Sequence, residues 1–192
     1  MKKIIAMLLA VLLVASMAAC GNNAGSKETT AAKVDVPASA LEILEKVWGS
    51  YGEDEKFPVY GGNMGENVVD NAPGAFDITD TDGLTYTLLV PAEQTANIDG
   101  AASLVHGMLA NNFTCGVFHA TGDAKAFAEA MKTAVFGNRW MCGMPEKVLV
   151  SVIGGEYVLV AFGINDAINP FQTKLAAAYP AAEQLYFEDL AQ

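Results

Sequence analysis

The sequence predicts an α+β or α/β fold, with a mixed sheet of about four strands, a C-terminal β-hairpin and helices packed on the sheet. Two apolar runs joined by Gly154-Gly155 indicate the hairpin, because paired glycines suit the positive φ angles of tight turns. Segments with a helical apolar period alternate with short apolar runs, which is typical of helices and strands sharing one core. A chain of 192 residues is long enough for one such domain, which we expect to span 38–192.

The first nineteen residues have the three-part pattern of a signal peptide. Two lysines precede an apolar run over 4–19 that ends in small residues and is shorter than the ~20 residues of a membrane span. The segment MAAC, residues 17–20, resembles a bacterial lipobox, in which the cysteine thiol is joined to diacylglycerol and the chain is cut just before it. Met17 stands where this family of signals usually has Leu.

This resemblance implies lipid attachment at Cys20 and a position on the extracytoplasmic face of the cell membrane. Segment 20–37 has no apolar periodicity and few groups to bury, so we expect a flexible tether there. The two acyl chains of a diacylated cysteine suffice for stable anchoring. An ordinary secretory signal cleaved nearby and an uncleaved anchor are the alternatives.

The first helix is predicted from Ser39 to about Gly52. Ser39 and Glu42 form a capping box, in which each side chain satisfies a backbone N–H of the first turn. The apolar residues of this segment fall on one helical face; they are Leu41, Leu44, Val47, Trp48 and Tyr51.

The middle of the chain mixes loop and regular patterns. Residues 52–83 are rich in Gly, Asn, Asp and Pro, which predicts loops and short extended pieces. The run LTYTLLV, residues 84–90, predicts a strand that Pro91 ends. Residues 98–111 predict a helix interrupted by Gly107.

In the second half of the chain, predicted strands and helices alternate more regularly. FTCGVFHA, residues 113–120, predicts a strand, and Asp123 is a plausible N-cap for the helix that follows. The inner face of that helix is predicted to hold Ala124, Phe127, Ala128, Met131 and Val135. KVLVSVI and EYVLVAFG are apolar nearly throughout, so both hairpin strands should be central and covered by helices. Asn169-Pro170 predicts the start of a last helix over 170–179.

The negative net charge of the chain limits the kinds of molecule that it can bind. Acidic residues outnumber basic ones by 22 to 11, which gives a formal net charge of −11. So negative a surface repels phosphate backbones and gains nothing from anionic lipid headgroups. We therefore expect no nucleic-acid partner, and membrane attachment only through the lipid on Cys20.

Two stretches resemble an uncharacterised family of clostridial and other Gram-positive lipoproteins, a domain of unknown function. They are CGVFHATGDAKAFAEAMKTAV and VLVSVIGGEYVLVAFGINDAINPFQTKL, and the resemblance covers about 97–179. It implies surface attachment and an α+β domain. The shared motifs are hydrophobic patterns, so the family supplies no active site.

Of the two remaining cysteines, Cys115 lies near the start of its predicted strand and Cys142 lies just before the strand that begins at Lys147. If a right-handed crossover links those strands, both starts lie at the same end of the sheet and the thiols are neighbours. A disulfide would then stabilise the domain by ~3–4 kcal/mol on the chain-entropy model. Two separate buried thiols are the alternative, and a redox role has little support without a Cys-x-x-Cys motif.

Two further groups of residues could bear chemistry. Cys115 and His119 share a strand face, which makes a Cys/His dyad or metal pair conceivable, although a structural imidazole is the simpler interpretation. Met141, Cys142 and Met144 offer soft ligands for Cu(I), but methionine beside Trp140 is more often core packing.

The acidic segment DITDTDG, residues 77–83, is similar in composition to a calcium-binding loop. Aligned on its acids, the segment has Ile78 at the first ligand position and Leu89 at the closing one, so the motif fails. A turn with solvated carboxylates is the prediction.

The sequence therefore predicts a lipid-anchored binding or accessory module without catalytic residues, cofactor or metal site. Its ligand would be an unidentified protein, peptide or small molecule. The alternatives are an extracytoplasmic thiol enzyme using Cys115 and His119, or a metal carrier using Met141, Cys142 and Met144.

Overall fold

The computed structural model describes residues 36–65 and 67–190. The predicted signal peptide, Cys20 and all but the last two residues of the predicted tether lie outside the described residues. Within the described part of the chain, no helix is both long and apolar enough to cross a membrane.

The described residues form helices and strands in the order α1 Ala40–Gly49, β1 Val59–Gly61, β2 Val69–Asp70, β3 Gly74–Phe76, α2 Thr81–Tyr86, β4 Ile98–His106, β5 Phe113–Ala120, α3 Ala124–Gly137, β6 Lys147–Ile153, β7 Tyr157–Gly163, α4 Asn165–Ala178 and β8 Glu183–Asp189. Short 3₁₀ turns occupy Ala92–Asn97 and Ala110–Asn112.

The strands form one sheet in the order β2-β1-β4-β5-β7-β6-β8, and β3 pairs with β4 beside β1. Every pairing is antiparallel. The α+β class is therefore confirmed, but the sheet has eight strands where about four were predicted, and it is not mixed. Three of the additional strands are two or three residues long and lie in the glycine-rich segment, where no period can be detected.

Helices cover both faces of the sheet. One apolar cluster joins α1 and α4 to a face that includes Phe113, Leu149 and Leu159. A second joins α3 to the opposite face, with Phe118 and Phe127 in edge-on contact at 5.5 Å between ring centroids. Each large apolar side chain that is fully buried contributes roughly 1.5–3 kcal/mol to folding. The prediction that both hairpin strands are central and covered by helices is confirmed.

The predicted serine cap of α1 and the glycine hairpin are also confirmed. The Ser39 hydroxyl accepts a hydrogen bond from the Glu42 N–H at 3.1 Å, and the Glu42 carboxylate accepts one from the Ala38 N–H at 2.7 Å. Gly154 and Gly155 have φ angles of 63° and 85°, the left-handed region that favours glycine.

Helix α3 begins after its predicted N-cap and buries the predicted face. The Asp123 side chain accepts hydrogen bonds from Lys125 N and Ala126 N. The buried residues of the helix are Ala124, Phe127, Ala128, Met131 and Val135.

Two elements were predicted wrongly. Residues 84–86, the start of the predicted strand 84–90, form the end of α2 instead, because Asp80 caps the first turn of this helix by accepting a hydrogen bond from Gly83 N. Residues 87–90 do not form a strand either. Residues 98–106 form β4 instead of a helix, since β3 and β1 pair with one side of this segment and β5 with the other.

The last helix starts five residues earlier than predicted. Its N-cap is Ile164, and the next residue, Asn165, donates its N–H to the Glu146 carboxylate at 2.6 Å. Pro170 consequently lies inside α4, where its missing N–H leaves one helical hydrogen bond unmade.

Candidate functional site

A cleft of about 310 Å³ opens at one end of the sheet. Its floor is a row of paired residues across four neighbouring strands: Tyr60 opposite Val105, Val105 opposite Thr114, and Thr114 opposite Phe162. Because directly paired residues lie on the same face of a sheet, this row presents one continuous surface. The floor is therefore positioned by the most central part of the fold.

Loops and helix ends form the walls. They come from the turn after β1, the end of α2, the segment joining β4 to β5, and the segment after α3. The wall residues are Met64, Tyr86, Thr87, Leu89, His106, Gly107, Met108, Ala110, Asn111, Asn138 and Trp140. Trp140 packs on the floor residue Phe162 at 5.0 Å between ring centroids.

Leu89 has strained backbone in the cleft wall. Its φ of +59° is left-handed, which costs a residue with a Cβ roughly 1–2 kcal/mol. The strain follows from how α2 ends: Leu88 N bonds to Gly83 O and Val90 N to Leu84 O, so the chain must reverse at Leu89. Strained residues of this kind concentrate at binding and catalytic sites.

His106 fixes the loop on another side of the cleft. Its Nδ1 accepts hydrogen bonds from Met108 N at 3.1 Å and Leu109 N at 3.4 Å. The ring also stacks on Phe57, at 5.3 Å between centroids. Burial lowers the pKa of His106 below its ordinary value of 6.5, so the imidazole is neutral at pH 7.

The cleft combines apolar exposure with an absence of charge. Tyr86, Met64 and Met108 line it and are exposed to 79%, 63% and 85% of their maximum. Its lining within the described part of the chain contains no Asp, Glu, Lys or Arg. Exposed apolar groups of this size gathered round a concavity are typical of binding surfaces.

The possible disulfide between Cys115 and Cys142 is not formed, because both cysteines are free. The strands β5 and β6 do start at the same end, since Phe113 and Lys147 both pair with Gly163. However, β7 separates them, and Cys115 is fully buried beneath α1 and α4. Cys142 is exposed in the loop before β6, so the alternative of two buried thiols is also wrong for this residue.

Cys115 and His119 do not form a dyad. They lie four residues apart on β5, a spacing of roughly 13 Å along a strand. Burial raises the pKa of Cys115 well above its usual value. His119 instead pairs through Nδ1 with Asp99 and lies 3.8 Å from the Glu156 carboxylate through Nε2, as a structural imidazole would.

The acidic segment 77–83 is a capped turn. The Asp77 carboxylate accepts hydrogen bonds from Thr79 N at 2.9 Å and Thr79 Oγ1 at 2.7 Å. Asp80 caps α2 and accepts a hydrogen bond from Asn63 Nδ2 at 3.0 Å. Among residues 36–65 and 67–190, no group of three or more His, Cys, Asp or Glu is placed to hold a metal ion.

The sequence pattern concealed most of the cleft. Tyr86 was assigned to a strand and Met108 to a helix, and neither position predicts exposure. The signal that could have found Met64 and Met108 is methionine next to glycine, as in Gly62-Asn63-Met64-Gly65 and Gly107-Met108, because glycine favours a loop, where side chains are more often exposed.

Comparison with known proteins supplies no relative: no protein-family model, no curated protein and no solved structure matches the chain. The resemblance to Gram-positive lipoproteins therefore stays a prediction.

Proposed function

We propose that the protein is a lipid-anchored, non-catalytic binding module on the extracytoplasmic face of the cell membrane, and that the cleft described above is its ligand site. The lipid would be carried by Cys20, and the partner would be a protein, peptide or small molecule that presents an uncharged apolar group. The single observation that carries this proposal is the exposed apolar lining of the cleft, in which the described residues include no charged side chain.

The position of the cleft suits a tethered protein. The described chain begins at Val36, and Pro37 lies against the hairpin turn, where a Cβ built on Gly154 would be 3.4 Å from Pro37 Cδ. That turn is at the His119 end of β5, whereas the cleft is at the Thr114 end. The first described residues therefore lie at the end of the sheet opposite the cleft.

The chemistry of the lining selects the ligand. Aromatic and thioether side chains bury apolar surface without a polar partner, and flexible methionines adapt to irregular shapes. The polar groups of the lining are neutral: they include the amides of Asn111 and Asn138 and the hydroxyls of Thr87 and Thr114. Asn111 Nδ2 already donates to two backbone carbonyls and the Thr114 hydroxyl to Ala110 O, which leaves their oxygen atoms to accept hydrogen bonds. An ionic ligand group would lose its hydration here without gaining a counter-charge.

Binding can be tested with N-phenyl-1-naphthylamine, an uncharged dye whose fluorescence increases in apolar surroundings. We expect saturable binding to one site, and Tyr86→Ser with Met108→Ser should weaken it by about fivefold or more because two apolar contacts are lost. Phe136→Ser is the matched control, since Phe136 is 41% exposed on α3 and does not line the cleft. Equal weakening in both variants would show that the dye binds elsewhere.

The anchor is tested separately. Cells fed a radioactive fatty acid should label the wild-type protein and leave Cys20→Ala unlabelled. Labelling of both proteins to the same extent would refute lipid attachment at Cys20 while leaving the binding test unaffected.

A further inference from the structure

The floor of the cleft is long enough to hold more than one ring of a ligand. Tyr60 on β1 and Phe162 on β7 end the row of paired residues, and strands β4 and β5 lie between them. Three inter-strand spacings of ~4.8 Å separate these two residues by roughly 14 Å. The cleft volume of about 310 Å³ lies at the low end of the ~300–1,000 Å³ that is usual for small-molecule pockets. The site therefore fits a short, elongated small molecule.

Aromatic rings occur at both ends of this floor. Tyr60 is at one end, and at the other Trp140 packs on Phe162 at 5.0 Å between ring centroids. Tyr86 adds a fourth ring from the end of α2 and is 79% exposed. The face of an aromatic ring carries partial negative charge, so it attracts C–H groups that neighbouring oxygen atoms polarise. These rings favour a ligand that presents such C–H groups on a flat face.

Four polar groups of the lining form no hydrogen bond with any residue in 36–65 or 67–190. They are the hydroxyls of Tyr60 and Tyr86, the ring N–H of Trp140 and the side-chain amide of Asn138. None of the four is a buried atom, so water reaches each of them. A wholly apolar ligand would displace that water and leave the groups unpaired, which disfavours its binding. A ligand that carries hydroxyl groups would replace the lost hydrogen bonds.

The four polar groups come from different sides of the cleft: β1, the end of α2 and the segment after α3. A pyranose ring matches this distribution, because its hydroxyls point outward all round its edge while its faces present C–H groups. A planar heterocyclic base, by contrast, concentrates its hydrogen-bonding atoms on one or two edges. An acidic or amino sugar would find no counter-charge, since the described lining contains no Asp, Glu, Lys or Arg.

We propose that the cleft binds a neutral disaccharide, with one sugar ring at the Tyr60 end of the floor and the other at the Trp140 end. The aromatic faces contact the C–H faces of the sugar, and the four polar groups bind its hydroxyls. This inference rests on the proposed function, because it names the ligand class of the same cleft.

The binding measurement uses the fluorescence of Trp140. The full-length chain is titrated with cellobiose and with N,N′-diacetylchitobiose, in the absence of sugar-based detergents. We expect a saturable change with at least one of the two disaccharides, and Trp140→Phe should remove the signal while keeping a ring. The other tryptophan, Trp48, is 5% exposed in the core beneath α1 and should not respond.

A second measurement separates this inference from the proposed function. Tyr60→Phe combined with Asn138→Leu removes one hydroxyl and one amide but keeps the ring and the bulk of the side chains. We expect disaccharide binding to weaken by about tenfold or more, because two hydrogen bonds are lost. Binding of the dye N-phenyl-1-naphthylamine should stay the same or become tighter. Asn169→Leu is the control for the amide, since Asn169 is exposed on α4 and does not line the cleft.

The outcomes are distinguishable. Binding of the dye without a saturable response to either disaccharide would overturn the disaccharide inference and leave the proposed function standing. Disaccharide binding that is weakened as much by Asn169→Leu as by the double variant would also overturn it. Absence of both dye and disaccharide binding would overturn the proposed function as well.

Discussion

At the scale of single residues, a buried amide holds the loop after β1 in place. Asn63 is 4% exposed; its Nδ2 donates to Asp77 O at 3.2 Å and to the Asp80 carboxylate at 3.0 Å, and its Oδ1 accepts from Asp77 N at 2.6 Å. The Asp80 pKa is lowered, mainly by this bond from Asn63. One side chain therefore joins the β1 loop to the cap of α2, and both segments contribute to the cleft.

We expect Asn63→Ala to lower the free energy of unfolding by about 2 kcal/mol, because it removes three hydrogen bonds and leaves their partners without replacements. Urea denaturation followed by tryptophan fluorescence measures this change. The matched variant is Asn169→Ala, at an exposed position on α4, which should leave stability unchanged or slightly higher. A similar loss in both variants would contradict the role given to Asn63.

The two histidines should make the free energy of unfolding depend on pH in opposite directions, because their pKa values are shifted in opposite directions by folding. The pKa of His119 is raised above 6.5, chiefly by its hydrogen bond with Asp99 and also by Glu156, whereas burial lowers the pKa of His106. The folded state thus favours protonated His119, and that stabilisation is complete below pH 6.5 and lost as the pH rises through the folded pKa. For His106 the stabilisation is complete above pH 6.5 and lost as the pH falls through the folded pKa.

Urea denaturation at a series of pH values tests this assignment. His119→Gln should flatten the decline in stability above pH 6.5, and His106→Gln should flatten the decline below it. The assignment fails if both variants show the pH dependence of the wild type.

At the scale of elements, a helix or strand was predicted correctly where its capping residue and apolar period agree with the face that it buries in the fold. Asp123 caps α3 through its own side chain, and the apolar period of that helix matches its buried face, so no distant contact was needed to predict it. The run 84–90 is too short for its period to distinguish a helix from a strand. The Asp80 cap lies in the acidic segment 77–83, whose composition resembles that of a calcium loop.

Strand β4 was mistaken for a helix for a different reason. Its central residues are small, from Gly100 to Ser103, and both kinds of element accept alanine. The neighbouring strands make this segment a strand: Ser103 pairs with Gly74 and Gly116, and its hydroxyl donates to Gly62 O at 3.0 Å. These partners lie up to 41 residues away, beyond the reach of a local pattern.

The hairpin turn allows a prediction at this scale. Gly155→Ala should destabilise the protein by about 1 kcal/mol, because φ is +85° and an added Cβ contacts nothing within 4 Å, so the cost is purely conformational. Gly137→Ala at the end of α3 also enters open space, but without a positive φ, and should be neutral or stabilising. Thermal unfolding of the two variants provides the comparison, and equal melting temperatures would contradict it.

At the scale of the whole molecule, the sheet is antiparallel throughout although helices and strands alternate along much of the chain. The connection from β5 through α3 to β6 joins two strands that run in the same direction, as a crossover would. Strand β7 then inserts between them by forming its hairpin with β6. A pattern that predicts crossovers therefore yields an antiparallel sheet, because the hairpin fills the gap.

The central position of β5 and β7 should be visible in amide hydrogen exchange. Both strands are paired on each side and buried along almost their whole length, so we expect their amides to exchange only through global unfolding. Strand β2, at the edge with both residues exposed, should exchange fastest among the strands. Mass spectrometry of native-state exchange provides the measurement, and slower exchange in β2 than in β5 would contradict this order.

The sequence by itself determined the α+β class, the caps of α1 and α3 and the glycine hairpin, since each depends on neighbours a few residues apart. Its prediction of a lipid anchor at Cys20 rests on an equally local pattern and awaits the labelling experiment. Only the tertiary structure decided the eight-stranded antiparallel sheet, the separation of Cys115 from Cys142 and the cleft. The cleft brings together residues from distant loops, and strand pairing and core burial, rather than any local period, set their positions.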